Sequence, residues 1–339
     1  MSEVSKLLKT MRTSLSDYNL NLTNKIFIAK QITNLDRNIL FPTQKLNQVS
    51  SKIISKLRIS NSPNEADFIL VPHNWHWIRY NSEYLNYLKT LSGVTPIIMV
   101  NTGDASPKCD FPNTIQLRFF LHPGEEKYNK IIVPVPTAPR KFRIRDWSTK
   151  PSISFMGYVP SLTPGSILAN NLRGLKRPIK NSPFLNRKIG TKKLQLLGRQ
   201  YNVDVTIRKN YSLLKSNPNF KELDLEFQNS LDTSDYILCP RGFGNYSIRF
   251  YESLSAGATP ILIESDSDFP VISLKSFWEN NIVRVGLFQD WKKLINEDWD
   301  NLKNGNNYRK RQELNSKIFK EELAFDNFLD KLFDNYLNI

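Results

Sequence analysis

The sequence predicts an α/β protein of two Rossmann-like halves facing across a cleft. Three observations predict it. Short, continuous apolar runs of strand length alternate with segments of helical spacing, the pattern of parallel sheets covered on both faces. The alternation is interrupted once, by a basic, proline-bearing stretch over 136–151, and then resumes. The chain has 339 residues with 40% apolar content, which supports two cores more readily than one. The expected divisions are 1–145, 146–305 and C-terminal helices over 306–339 packing back across the domains.

In chain order, 25–30 (KIFIAK) is a short apolar run, and 45–59 places Leu46, Val49, Ile53, Ile54 and Leu57 on one helical face. Residues 67–71 (DFILV) read as a buried strand ending at Pro72, 84–91 as a short helix, and 96–100, 114–120 and 130–135 as strands. After the connection, 153–158 is a strand. Residues 161–200 are loop-rich, with a helix near 192–199. A strand at 203–207 and a helix at 221–231 follow. Strand 236–239, helix 246–256, strand 260–263 and strand 282–285 complete the second half, and 291–302, 308–320 and 321–337 are helical. Open α/β sheets bind ligands beyond the carboxyl ends of their strands, which directs attention to the loops there.

The net charge is +15. A surplus of this size attracts anions: nucleic acid, acidic lipid or phosphorylated small molecules. Lysine and arginine are spread along the chain, with mild clusters at 140–145 and 187–193, unlike a concentrated nucleic-acid arm. Cys109 and Cys239 form neither a CxxC pair nor a disulfide framework. The first twenty residues hold no apolar run of signal-peptide type, and no stretch approaches the ~18 apolar residues of a membrane span. A cytoplasmic location is the default expectation.

The richest segment is 235–270, DYILCPRGFGNYSIRFYESLSAGATPILIESDSDFP. It runs strand, glycine loop, helix, strand. Gly242 and Gly244 let backbone approach a ligand closely, and the following helix start presents N–H groups and a positive dipole end to phosphate oxygens. Arg241 at the loop mouth can pair bidentately with a diphosphate. Arg249 and Glu252 share one helix face, and Glu252 could accept from ribose hydroxyls. Gly257 is placed as the helix C-cap.

The run LCPRG, then Ser247-x-Arg249-x-x-Glu252-x-Leu254-x-Ala256-Gly257, then Thr259-Pro260-Ile261-Leu262-Ile263, resembles the exostosin-like glycosyltransferases (glycosyltransferase family 47). Upstream, Glu65-Ala66-Asp67-Phe68-Ile69-Leu70-Val71-Pro72, the KIIVPVP of 130–136 and the ISFMG of 153–157 are similar to family segments in the family's order. The resemblance implies a GT-B fold and inverting transfer from a nucleotide sugar, with uridine diphosphate as the carrier. The acceptor would be a glycan or other hydroxyl, such as a lipid-linked one. The resemblance also implies that Arg241, Arg249 and Glu252 contact the donor nucleotide, in a site completed by Gly242, Gly244, Asn245 and Ser247. The chain departs from the family in having Asn245-Tyr246 where many members carry Asp before the motif serine, and in lacking the N-terminal anchor usual in animal and plant members.

A charge cradle of arginines and a helix N-terminus stabilises a leaving diphosphate without metal, so neither cofactor nor metal is expected. The base should come from the first half. Asp104 in NTGDAS and His73 in PHNWHW are the leading candidates, and His76 and Glu125 are others. Trp75 and Trp77, with Tyr80, could stack on an acceptor sugar or equally form a half-buried loop plug. His73 and His76 lack a third zinc ligand, and Asp266-Ser267-Asp268 is a weak candidate for a divalent ion. The charge also fits peripheral contact with an acidic membrane, although no basic amphipathic helix stands out. The competing reading is a non-catalytic basic nucleotide- or nucleic-acid-binding α/β protein; no nucleic-acid motif supports it, and no nucleic-acid partner is expected.

Overall fold

A computed structural model describes residues 25–28, 58–91, 95–102, 107–109, 111, 113–121, 125, 129–159, 182–208, 218–242, 244–265, 269–270, 274–303 and 305–337. The chain divides into two compact units. One comprises 1–136, 268–274 and 322–339, the other 137–267 and 275–321.

The first unit holds a six-stranded sheet in the order β2-β1-β3-β4-β5-β6, parallel throughout. Its strands are β1 (Lys25–Ile28), β2 (Arg58–Ile59), β3 (Phe68–Asn74), β4 (Ile97–Val100), β5 (Thr114–Arg118) and β6 (Lys130–Ile132). Every residue of β4 and β5 is buried, as a parallel strand covered on both faces requires. Helices α1 (Trp75–Ile78) and α2 (Ser82–Leu91) follow β3. Ile78, Tyr84 and Leu88 from them pack on Ile69, Val71, Ile97 and Met99 of the sheet.

The second unit holds a parallel five-stranded sheet in the order β11-β10-β9-β7-β8. Its elements are β7 (Ser152–Tyr158), α3 (Pro183–Leu197), β8 (Asn202–Arg208), α4 (Phe220–Thr233), β9 (Tyr236–Leu238), α5 (Ile248–Ser255), β10 (Thr259–Ile263), α6 (Lys275–Asn280), β11 (Val283–Val285), α7 (Trp291–Asp300) and α8 (Gly305–Ile318). A π-helical turn, Phe319–Leu323, leads to α9 (Phe325–Leu337). The core of this unit joins Ile153 and Phe155 of β7, Tyr236 and Leu238 of β9, and Ile261 and Ile263 of β10 to Trp291, Ile295 and Trp299 of α7. Both units are therefore Rossmann-like α/β sheets, the fold class expected from the alternation.

Four differences from the sequence reading have physical reasons. Strand β3 continues through Pro72 to Asn74, because its pairing with β4 shifts register between Val71 and Asn74, and an irregularity there tolerates the missing proline N–H. Helix α3 starts well before residue 192, where Ser182 caps the backbone N–H of Leu185 and Pro183 occupies the first turn. Arg58–Ile59, expected at the end of a helix over 45–59, is instead a strand that pairs with β1, and residues 45–57 lie outside the described ones. The proline-bearing stretch, expected to connect the two halves, is largely part of the second one. Beyond Pro136 it belongs to the second unit, with Arg140 N donating to Ser255 Oγ (2.8 Å) and Arg145 N to Gln312 Oε1 (2.9 Å).

Helix α5 closes as the sequence predicts. Gly257 has φ +76°, its N–H reaches Leu254 O, and Ala258 N reaches Ser253 O, both at 2.9 Å. This pair of bonds is the Schellman termination. Among the described residues, no helix is long and apolar enough to cross a membrane.

Candidate functional site

In the second sheet β7 comes first in the chain, β8 lies on one side of it and β9 on the other. The strand order therefore reverses between β7 and β9, and the crevice beyond their carboxyl ends is where open α/β sheets bind ligands. The loop leaving β9 carries Cys239, Pro240, Arg241 and Gly242, and leads through Gly244, Asn245, Tyr246 and Ser247 into α5. Gly242 N donates to Tyr246 O (2.8 Å), closing the turn. A Cβ built on Gly242 would meet only Tyr246 O at 3.6 Å, so the protein's own packing does not demand glycine there.

Arg241, Gly244, Asn245, Ser247 and Glu252 are all buried. Ser247 is the extended N-cap of α5, and its side chain makes no capping hydrogen bond. Arg187, in the second turn of α3, donates through Nε to Arg241 O (3.2 Å) and through Nη1 to Tyr158 O (2.9 Å). It thereby pins the ends of the two strands that flank the reversal point.

Beneath the loop, Arg249 lies over the Phe227 ring, with its guanidinium carbon 3.9 Å from the centroid. It donates to Glu252 Oε2 (3.4 Å), and the other oxygen of Glu252 receives Arg140 at 2.6 and 3.2 Å. Arg140 also reaches Asp224 (2.6 Å), and Arg208 reaches Glu226 (2.9 Å) and Leu223 O (2.8 Å). Arg140, Arg208, Phe220, Leu223, Asp224, Phe227 and Arg249 line a small open pocket. Both Glu252 oxygens are thus held by arginines, and a ribose hydroxyl would have to use their second lone pairs.

The charges explain the titration tendencies. Burial lowers the Arg249 guanidinium from its usual value, Glu252 works against that, and the neighbouring Arg187 and Arg208 lower it further. Arg140 goes the other way: burial would lower it, but the charges and hydrogen bonds of Glu252 and Asp224 outweigh burial. Cys239, wholly buried beside Ser253, has its thiol pushed up to about 12 by burial, which makes it a packing residue and no nucleophile.

The first unit yields less. His73 lies in β3, but its side chain, like that of Trp77, falls outside the described residues, as do Asp104 and Asp266-Ser267-Asp268 entirely. Trp75, expected to stack on an acceptor sugar, belongs instead to the core. It is 8% exposed, its ring meets Phe111 edge-on, and its indole N–H donates to Lys108 O (3.0 Å). Glu125 receives the guanidinium of fully buried Arg118 on both oxygens, at 2.8 and 3.2 Å. Tyr80 is highly exposed, and Arg79 lies over its ring. Among the described residues, no group of three or more His, Cys, Asp or Glu is arranged to hold a metal ion.

Sequence reasoning missed Arg140, Arg187 and Arg208. The first two lie in the mild basic clusters at 140–145 and 187–193, but nothing local shows that their guanidinium groups turn inward.

No family model matches the chain, and no curated protein is similar to it in sequence. Solved structures show distant likenesses. WaaG, titled a glycosyltransferase involved in lipopolysaccharide biosynthesis, has 10% identity and a TM-score of 0.38 over 91% of this chain and 98% of its own. TarM has 10% identity and 0.36 over 74% of this chain and 57% of its own. The glycotransferase of kitacinnamycin has 7% identity and 0.34 over 98% of this chain and 79% of its own. At such scores the likenesses carry no conclusion about activity, and the functional reading rests on the site itself.

Proposed function

We propose that the chain is a glycosyltransferase that takes its sugar from a nucleoside diphosphate sugar, with uridine diphosphate as carrier. The corner between β7, β9 and α5 would be the donor site. The observation that carries the reading is a gathering of arginines at the strand-order reversal of the second sheet. Arg140, Arg208 and Arg249 line one pocket, where Asp224, Glu226 and Glu252 hold them, and Arg187 fastens the turn that carries Arg241 beside it. Guanidinium groups gathered in this way suit a nucleoside diphosphate sugar, which carries a charge of about −2, through charge-assisted hydrogen bonds. A glycine turn and a helix start face the same place, where backbone N–H groups suit phosphate oxygens.

On this reading the arginines stabilise the leaving diphosphate as its charge grows, and no metal is needed for that step. Inversion, and a hydroxyl acceptor on a glycan or lipid-linked glycan, remain with the family resemblance. Asp104 and His73 are the proposed bases.

The test is a thermal-shift panel with UDP, GDP, CMP, AMP, inorganic pyrophosphate and a short oligonucleotide, with and without Mn²⁺, run beside Arg241→Ala. Saturation at about 100 times Kd stabilises a folded protein by about 2.7 kcal/mol. A metal-independent rise with UDP or GDP, lost in Arg241→Ala, is expected. A response to the oligonucleotide alone would replace the donor-site reading with nucleic-acid binding.

A further inference from the structure

Two side chains at this corner are buried without partners. Asn186 is fully buried and Asn245 is 2% exposed, yet neither the amide nitrogen nor the amide oxygen of either has a hydrogen-bond partner. Buried amides are nearly always paired, and an unpaired one weakens the fold, so two such residues together call for an explanation. Both belong to the same corner. Asn245 lies inside the turn closed by Gly242 N and Tyr246 O. Asn186 immediately precedes Arg187, which fastens the N-terminal part of α3 to the carbonyls of Tyr158 and Arg241.

The chemistry of the missing partner follows from the amide itself, which presents a donor group and an acceptor side by side. A phosphate only accepts, so it could satisfy the nitrogens and leave the oxygens bare. A hydroxyl both donates and accepts, and neighbouring hydroxyls on a sugar ring match an amide on both sides. We infer that Asn186 and Asn245 are specificity-determining residues that hydrogen-bond sugar hydroxyls of the ligand whose phosphates the arginines hold. The inference rests on the donor-site reading above. A nucleoside ribose and a transferred hexose share this chemistry, and the experiment separates them.

Asn186→Leu and Asn245→Leu are compared with wild type by titration calorimetry. The ligands are inorganic pyrophosphate, then UDP or GDP according to which stabilises the wild type, then that nucleotide's glucose conjugate. Ligand-free thermal midpoints are measured alongside. Pyrophosphate affinity should be unchanged, while affinity for a sugar-bearing ligand should fall about tenfold or more, as the loss of one buried hydrogen bond implies. A loss already seen with the nucleotide assigns the ribose; a loss confined to the glucose conjugate assigns the transferred sugar. The ligand-free midpoints should be unchanged or raised, because leucine removes an unsatisfied amide.

Equal weakening of pyrophosphate, unchanged affinity for every ligand, or midpoints lowered by several degrees in both variants would overturn the inference and leave the donor site standing. If no diphosphate binds the wild type, the donor-site reading fails and takes this inference with it.

Discussion

Glu252→Ala gives the sharpest test of how the corner is held. The Glu252 side chain is 5% exposed and joins two arginines that are themselves 11% (Arg140) and 15% (Arg249) exposed. Removing it leaves Arg140 with Asp224 at 2.6 Å, but takes from Arg249 the carboxylate it faces at 3.4 Å. Stripping one partner from a buried pair costs about 3–5 kcal/mol. The retained Asp224 contact and the long Arg249 distance place the expectation near the lower end, about 3 kcal/mol. For a unit of this size that corresponds to a midpoint roughly 6–12 °C lower. The assay is calorimetric or circular-dichroism melting of wild type, Glu252→Ala and the double variant Glu252→Ala/Arg249→Met. Methionine keeps the contact with Phe227 and removes the stranded charge, so the double variant should melt above the single one. A Glu252→Ala midpoint within about 2 °C of wild type would refute the reasoning, as would a double variant less stable than the single.

Two further expectations follow from the same packing. Gly257→Ala should destabilise by about 2 kcal/mol or more in urea denaturation, because φ is +76° and the new Cβ would lie 2.5 Å from Phe142 Cε2 and 3.0 Å from Gln312 O. Stability should fall as pH rises from 9 toward 12, read as urea midpoints at neutral and alkaline pH. Burial holds the Cys239 thiol and the Tyr201 phenol up at about 12 and raises Tyr84, Tyr236 and Tyr308 as well. These groups stay neutral in the fold while the unfolded chain ionises from about 9 to 10, so the stability they contribute is complete below that range and lost above it.

The parts of this site that were legible in the sequence are the ones built locally. Strand β9, the glycine turn, α5 and its Gly257 termination occupy one continuous stretch, and strand length, turn residues and the C-cap each leave a local mark. The arginines that complete the corner leave none. Arg140 meets Glu252 across 112 positions and Arg187 meets Arg241 across 54, so their roles depend on how the sheet brings those segments together. A basic run looks the same in sequence whether it is solvated or folded against carboxylates. Trp75 shows the converse: an aromatic past a strand end reads equally as a sugar platform or a loop plug, and only its contacts with the Lys108 carbonyl and the Phe111 ring show that it is packed inside. The early boundary of α3 was readable in principle from Ser182-Pro183, a cap followed by a first-turn proline.

The two sheets also supply an internal comparison. In the first, the strand order reverses between β1 and β3, and Asn74 sits at the end of β3, the topological equivalent of the corner in the second. Asn74 is buried like Asn186, but its amide is fully used. Its nitrogen donates to Thr102 O and Oγ1, both at 2.8 Å, and its oxygen accepts from His76 N at 3.0 Å. It caps α1 and ties β3 to the segment after β4. Asn74→Leu should therefore cost about 2 kcal/mol or more, since it strands an N-cap N–H and a threonine carbonyl in a buried site. Asn186→Leu, by the same measure, should cost nothing without ligand. A comparable loss in both variants would mean that burial alone governs the cost. A loss confined to Asn74 would mean that one reversal point satisfies its own amide while the other leaves its amides open to a ligand.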